Sequence, residues 1–312
     1  MTRERSGVGE FWGSQRTLRN PIGCVGTGLH TGARVSLTLQ PAPADSGIRF
    51  LRYDRPDSAP LPARFDHVCD TTMCTTLGRP GGPTIATVEH LMAALAACEI
   101  DNVLVEVGGP ELPIMDGSAQ PFVFLIECAG VVEQDRPRRG IEVLKAVSVG
   151  SPQRGARLEP ADRFEVDCEI HFDHPLIDTQ AMRFVFAPDS FKAEIARART
   201  FGFAERVEEL RARGLALGGN LKNAVVVSRD RVLNEEGLRF PDEFVRHKLL
   251  DCIGDLYLAG APLIGRFVGR GAGHGMHNRL LRALFADPTA WRQVDEPGAL
   301  VPEPPVRRAA GA

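Results

Sequence analysis

What most constrains this chain is an internal echo. Val88-Glu89-His90 heads a helical stretch, followed by an apolar strand at residues 102–107 (NVLVEV) and a further helix. Val245-Arg246-His247 heads a second helical stretch, followed by a strand at 262–268 (PLIGRFV) and again by a helix. The order predicts an α+β fold of two similar units, each a small β-sheet packed with a pair of helices. A pseudo-symmetric pair brings the two histidines to the seam between units, where clefts form.

The second copy carries the denser chemistry. Read as one helix at about 100° per residue, 244–257 (FVRHKLLDCIGDLY) gathers His247, Lys248, Asp251 and Asp255 into one narrow arc, with Val245, Leu249, Cys252, Ile253, Leu256 and Tyr257 opposite. Taken alone, such an arc is a solvated face with His–Asp and Lys–Asp pairs. Two other stretches change that reading. In Glu89-His90 a carboxylate stands next to a potential ligand, turned about 100° from it, close enough to act on water without taking a coordination position. Gly273-His274-Gly275 reads as a loop whose glycines allow close approach to a cleft. His90, His247 and Asp251 offer two imidazoles and a carboxylate, the ligand set of a catalytic zinc with one position open. Fe(II) or Co(II) suits the same donors.

Composition narrows the class. The 312 residues are 43% hydrophobic and 25% charged, with a net charge of −3 and a pI near 6.3, and no basic cluster of the kind that grips nucleic acid. The seven cysteines are scattered without a C-x-x-C pair, which argues against a disulfide framework and for a reducing cytoplasm. No signal-like or membrane-spanning apolar run occurs, so stable membrane insertion is not expected, and nothing calls for more than a monomer.

Along the chain, residues 1–15 read as a disordered lead-in, 16–137 as an N-terminal α+β unit, 138–292 as a C-terminal one, and 293–312 as a loose tail, with RPRRG at 136–140 as the linker. Strands are expected at 34–40, 48–53, 102–107, 141–149, 164–172, 182–186, 224–227 and 262–268. Helices are expected at 84–98, after Ser118 as N-cap, at 189–197, 203–213, 244–257 and 278–285. The glycine-rich turn GTGLHTG holds His30, exposed or at the site. Asp116 and Ser118 read as architectural, and His277 as a bystander because the ligand set is already complete.

TVEHLMAAL, PIMDGSAQPFV, ARARTFGF, LRFPDEFVRHKLLDCIGDL and GAGHG, in this order, resemble the UDP-3-O-acyl-N-acetylglucosamine deacetylases, zinc enzymes of lipid A synthesis, over roughly residues 15–290. The resemblance implies an active site between the two units, with His90, His247 and Asp251 as metal ligands, Glu89 as general base and His274 as general acid, oriented by Asp255. It implies Thr200 as an oxyanion donor, Phe201 and Lys248 as contacts to a UDP-linked acylated amino sugar, and an insert at about 202–228 that forms an acyl passage. Many relatives carry a lysine three residues before this histidine, where this chain has Gly271; the nearest cation is Arg270. Deacetylation of another N-acetyl amino sugar, or silent binding of a UDP-sugar or lipid precursor, are the rival functions.

Overall fold

The computed structural model describes residues 13–295. Six helices occur among the described residues: α1 (Glu89–Ala97), α2 (Gln120–Ala129), α3 (Pro188–Glu194), α4 (Val207–Ala212), α5 (Glu243–Tyr257) and α6 (His274–Ala286). A five-stranded sheet runs Ile22–Thr27, Arg34–Pro41, Val103–Val107, Ile48–Arg52, Leu61–Pro62. Its strands pair antiparallel except Ile48–Arg52, which lies parallel to Val103–Val107 with Ile48 opposite Val103. Alternation along Arg34–Pro41 sends Val35, Leu37 and Leu39 into the core. A seven-stranded sheet is built around Leu263–Arg270, which pairs parallel with Gly140–Val143 and Phe164–Phe172 and antiparallel with Gly155–Glu159. The fold is α+β, and the echo in the sequence is physical: α1, Val103–Val107 and α2 recur as α5, Leu263–Arg270 and α6, each strand interior to its own sheet.

The first helices of the two copies, α1 and α5, pack along each other. Every residue of α1 is buried, as its nearly all-apolar Ala/Leu/Met surface requires. The crossing is unusually close at Gly254 of α5, where a Cβ would sit 2.0 Å from the carbonyl oxygen of Glu89. A mid-helix glycine costs about 0.5–1 kcal/mol relative to alanine. Here it lets one helix rest on the backbone of the other.

Several boundaries differ from the sequence reading. Residues 84–88 are not helical: Thr84–Ile85 is a strand, and Thr87 has φ +59° with its hydroxyl on Glu111, so the β-branched run delays α1 until Glu89. Ser118 is not the N-cap of α2; Ala119 is, and Ser118 bonds Asp116, which pairs with Arg239. The strand expected at 141–149 is two strands, Gly140–Val143 and Val147–Gly150. His274 does not lie in a loop but opens α6, following Gly273 in extended conformation. Its flanking glycines hid a helix whose buried stripe is His277, Leu280, Leu281 and Leu284. In the 136–140 stretch, Arg138 is buried and bonded to Glu99 and Asp101. Ser14–Leu18 and Trp291–Val294 are paired strands, so order extends past both expected ends; the rest of the lead-in and tail lies outside the described residues.

Candidate active site

Where α1 meets α5, three side chains converge. His90 Nε2 and His247 Nε2 each lie 3.4 Å from Asp251 Oδ1, and the two rings stand 5.0 Å apart at 87°. Ligands about 2.0–2.1 Å from a tetrahedral zinc are separated by roughly 3.4 Å, so the spacing suits a shared ion. Asp251 Oδ1 supports this, being a buried acceptor with no hydrogen-bond donor among the described residues. His247 Nδ1 is held by the Ala198 carbonyl at 3.1 Å, which turns Nε2 toward the cluster. Burial, with His90 and Lys248 beside it, pushes the His247 imidazole down to about 3 against the pull of Asp251, leaving it neutral as a ligand must be. Burial alone would raise the Asp251 carboxyl, yet His247 and the Lys248 ammonium, 2.7 Å from Oδ2, hold it well below its ordinary value.

A second constellation adjoins the first. His274 Nε2 lies 3.8 Å from Glu89 Oε1, and His274 Nδ1 donates to Asp255 Oδ2 at 2.7 Å. Glu89 is 3% exposed; burial, its largest influence, pushes its carboxyl up, with Asp255 and Asp251 adding to the rise against His274 and His90. Burial works against the charge on His274, but the Asp255 and Glu89 carboxylates outweigh it and raise the imidazole to about 9. Two carriers of opposite habit therefore face each other: a carboxylate inclined to take a proton and an imidazolium able to give one.

Thr75, which no sequence pattern singled out, joins these groups. Its backbone N–H donates to Glu89 Oε2 at 3.0 Å and its hydroxyl to Asp255 Oδ1 at 2.5 Å. His277, read as a bystander, is buried and donates from Nδ1 to the same Asp255 Oδ2 at 2.8 Å. Gly254 is the third residue missed. The sequence signal for it was present, a glycine inside an otherwise helical pattern.

Of the remaining expected residues, Phe201 stacks edge-on against Phe244 and His247 with the Lys248 ammonium over its ring at 5.6 Å. Thr200 is half-buried, fixed through its backbone to Gly117 and Val225; its hydroxyl bonds none of the groups above among the described residues. Phe201, Lys248, His274, Arg154 and Arg279 line an open cleft of about 1280 Å³; Thr200 directly precedes Phe201 but is not among its lining residues. At Gly271 a Cβ would meet Arg154 Cγ at 3.6 Å, whereas Arg270 pairs with Glu169.

The insert starts as the strand Phe201–Phe203, parallel to Val225–Val227, and includes α4. Its tip is clasped by the His30 turn: Leu217 N donates to the His30 carbonyl at 3.1 Å and Gly218 N to that of Leu29 at 3.0 Å. Glu111 holds this turn from behind, accepting from the amides of His30 and Thr31. His30 is thus buried rather than exposed, with Nδ1 facing Ala216 N. No described helix is long and apolar enough to cross a membrane.

Comparison with known proteins places the chain as a whole. The family model for UDP-3-O-acyl N-acetylglycosamine deacetylase matches residues 15–286. A protein of Acidithiobacillus ferrooxidans named UDP-3-O-acyl-N-acetylglucosamine deacetylase is 53% identical over 283 residues, covering 90% of this chain and 93% of its own. Relatives of the same name are 49% identical over 292 residues in Stenotrophomonas maltophilia K279a (93% of this chain, 96% of that one) and 52% over 282 in Methylococcus capsulatus (90% and 92%). With a family match across nearly the whole described chain and relatives near half identity along their full length, this chain belongs to the UDP-3-O-acyl N-acetylglycosamine deacetylase family.

Proposed function

We infer that this chain is a metal-dependent amidohydrolase that removes acetate from UDP-3-O-[(3R)-3-hydroxyacyl]-N-acetylglucosamine, the step committing material to lipid A. One observation carries the reading: a three-ligand set shares a buried centre with Glu89 and His274, neither needed as a ligand and 3.8 Å from each other. A silent binder has no use for that pair.

His90, His247 and Asp251 are the proposed ligands, zinc the proposed ion, with Fe(II) also suited to two imidazoles and a carboxylate. When bound, the ion supplies Lewis-acid polarisation of the acetyl carbonyl and makes water more acidic. Glu89, oriented by the Thr75 amide, takes a proton from the attacking water at Oε1. His274, charged and held at Nδ1 by Asp255, delivers a proton from Nε2 to the departing nitrogen. The C–O bond forms, the C–N bond breaks, and acetate and the free amine leave. The Thr200 hydroxyl is proposed as a donor to the developing oxyanion, and Phe201 and Lys248 as walls for the sugar. Arg154, seated against Gly271, is the proposed cation for the diphosphate on the edge where that position lacks a side chain.

The insert, with Phe203 and Leu210 on its inner side, is the proposed acyl passage. The division at residue 137 belongs to the same reading, since Val131–Pro137 pairs back to Ser14–Leu18 while Gly140 opens a strand of the second sheet. We place the enzyme in the cytoplasm as a monomer, consistent with seven unpaired cysteines.

The test is acetate release by purified protein from the acylated nucleotide sugar and from UDP-N-acetylglucosamine, alongside elemental analysis. Strong preference for the acylated substrate is expected. Equal turnover of both would reassign the enzyme to another amino sugar, and no release from either would overturn the reading.

A further inference from the structure

We propose that His277 is a positioning residue for this reaction, acting through Asp255 on His274; the proposal rests on the assignment of His274 as the acid. Asp255 is a carboxylate inside the protein whose two oxygens are held by three donors. Thr75 bonds Oδ1, while His274 Nδ1 and His277 Nδ1 both bond Oδ2, at 2.7 and 2.8 Å. The two imidazoles stand at 84° to each other with centroids 6.3 Å apart, so they approach the shared oxygen from different directions. A buried charge that accepts several hydrogen bonds is confined to one rotamer, and removing one donor frees it or leaves it short of a partner.

His277 is also tied to the backbone that carries the acid. It lies three residues after His274 in the first turn of α6, and its amide donates to the Gly273 carbonyl at 3.0 Å. That turn contains Gly273 and Gly275, so little side-chain packing stiffens it. The bond from His277 to Asp255 pins the turn to α5 one helical turn beyond His274. The first turn of α6 is thereby attached to Asp255 at two points, and His274 Nε2 is fixed in direction toward Glu89. His277 itself is 3% exposed, packs edge-on against Phe267 at 5.5 Å, and does not line the cleft, so it touches no substrate.

The experiment compares His277→Leu, similar in bulk without a donor, with His277→Asn, whose amide can donate from nearly the place of Nδ1. Metal content and thermal midpoint are measured on each. His277→Leu should lower kcat roughly 10-fold, the low end for one hydrogen bond to a charged acceptor. KM should stay within about 2-fold, since no substrate contact is lost, and His277→Asn should recover most of kcat. In an Asp255→Ala background the leucine substitution should change kcat by less than about 2-fold, because a residue acting through Asp255 has nothing left to act on. Wild-type kcat in His277→Leu, equal impairment in the Leu and Asn variants, or full additivity with Asp255→Ala would each overturn the proposal. Should the leucine variant not fold, nitrogen-15 histidine spectra of wild type and His277→Asn decide. Downfield Nδ1 protons assigned to both His274 and His277 are expected in the wild type, with the His277 proton lost in the Asn variant, and absence of a downfield Nδ1 proton on His277 in the wild type overturns the proposal. Absence of acetate release by the wild type would instead remove the reading on which it rests.

Discussion

Among single residues, the proposed ligands and the proton carriers are separable by experiment. His247→Ala or Asp251→Ala should lower bound metal and activity together, since each removes one of three protein donors; full metal occupancy by elemental analysis would refute the ligand assignment. Glu89→Ala should keep its metal and lose about 10²-fold or more in kcat, the scale of a general base. The pH profile follows from the directions of the two shifts. Glu89 must be ionised, so activity falls as pH drops through its raised value, and His274 must be charged, so activity falls as pH rises through about 9. If the alkaline limb of kcat/KM is unchanged in His274→Ala, that histidine is not the acid. These residues were readable beforehand because each is a titratable side chain at helical spacing or beside glycine. Thr75 was not readable, because half its contribution is a backbone amide that any residue but proline could supply. His277 reads as a bystander from sequence because spacing shows which residues share a helix face but not which distant carboxylate that face meets.

For the helices and strands, legibility tracked burial pattern. α5 was expected at 244–257 and runs Glu243–Tyr257, because its apolar side is unbroken. α6 begins before, and α1 after, the bounds that the apolar pattern indicates: glycines mask the first turn of α6, while the β-branched residues of 84–88 and the Thr87 bond to Glu111 keep that stretch out of α1. That α1 and α5 meet follows from histidines at equivalent places in the two copies, but the closeness of the contact at Gly254 does not. This closeness predicts that Gly254→Ala, benign by propensity, will destabilise the protein by about 1–3 kcal/mol or more as an overpacked core site and reduce metal stoichiometry, seen as a lower thermal midpoint and less bound metal. A wild-type midpoint would show that the helices can part without cost. The insert makes a graded demand instead. Each methylene it desolvates contributes up to about 0.8 kcal/mol, so kcat/KM should climb with acyl length. A Cβ at Gly218 would meet the Gly28 carbonyl at 2.2 Å and spoil the clasp; Gly218→Ala should therefore penalise long acyl chains more than short ones. A flat length profile in both proteins would remove the passage.

Over the whole molecule, two sheet-and-helix copies meet where their first helices touch, and the proposed base sits on that line of contact. Gly254 rests against the carbonyl of Glu89 itself, so the backbone that carries the base is also the surface on which the other half leans. Domain enzymes commonly open and shut by hinging, but a hinge through this contact would drag the base away from its water and the ligands away from one another. Motion is left to the periphery: the half-exposed insert around α4 and the hairpin that bears Arg154. Hydrogen exchange should find the amides of α1 and α5 slowest and those of the insert fastest; the reverse order would point to a hinge after all. A machine of this kind has a still axle and a moving rim. Only the rim then has to give way for a long, greasy nucleotide sugar to enter and the deacetylated one to leave, while the chemical centre waits already assembled.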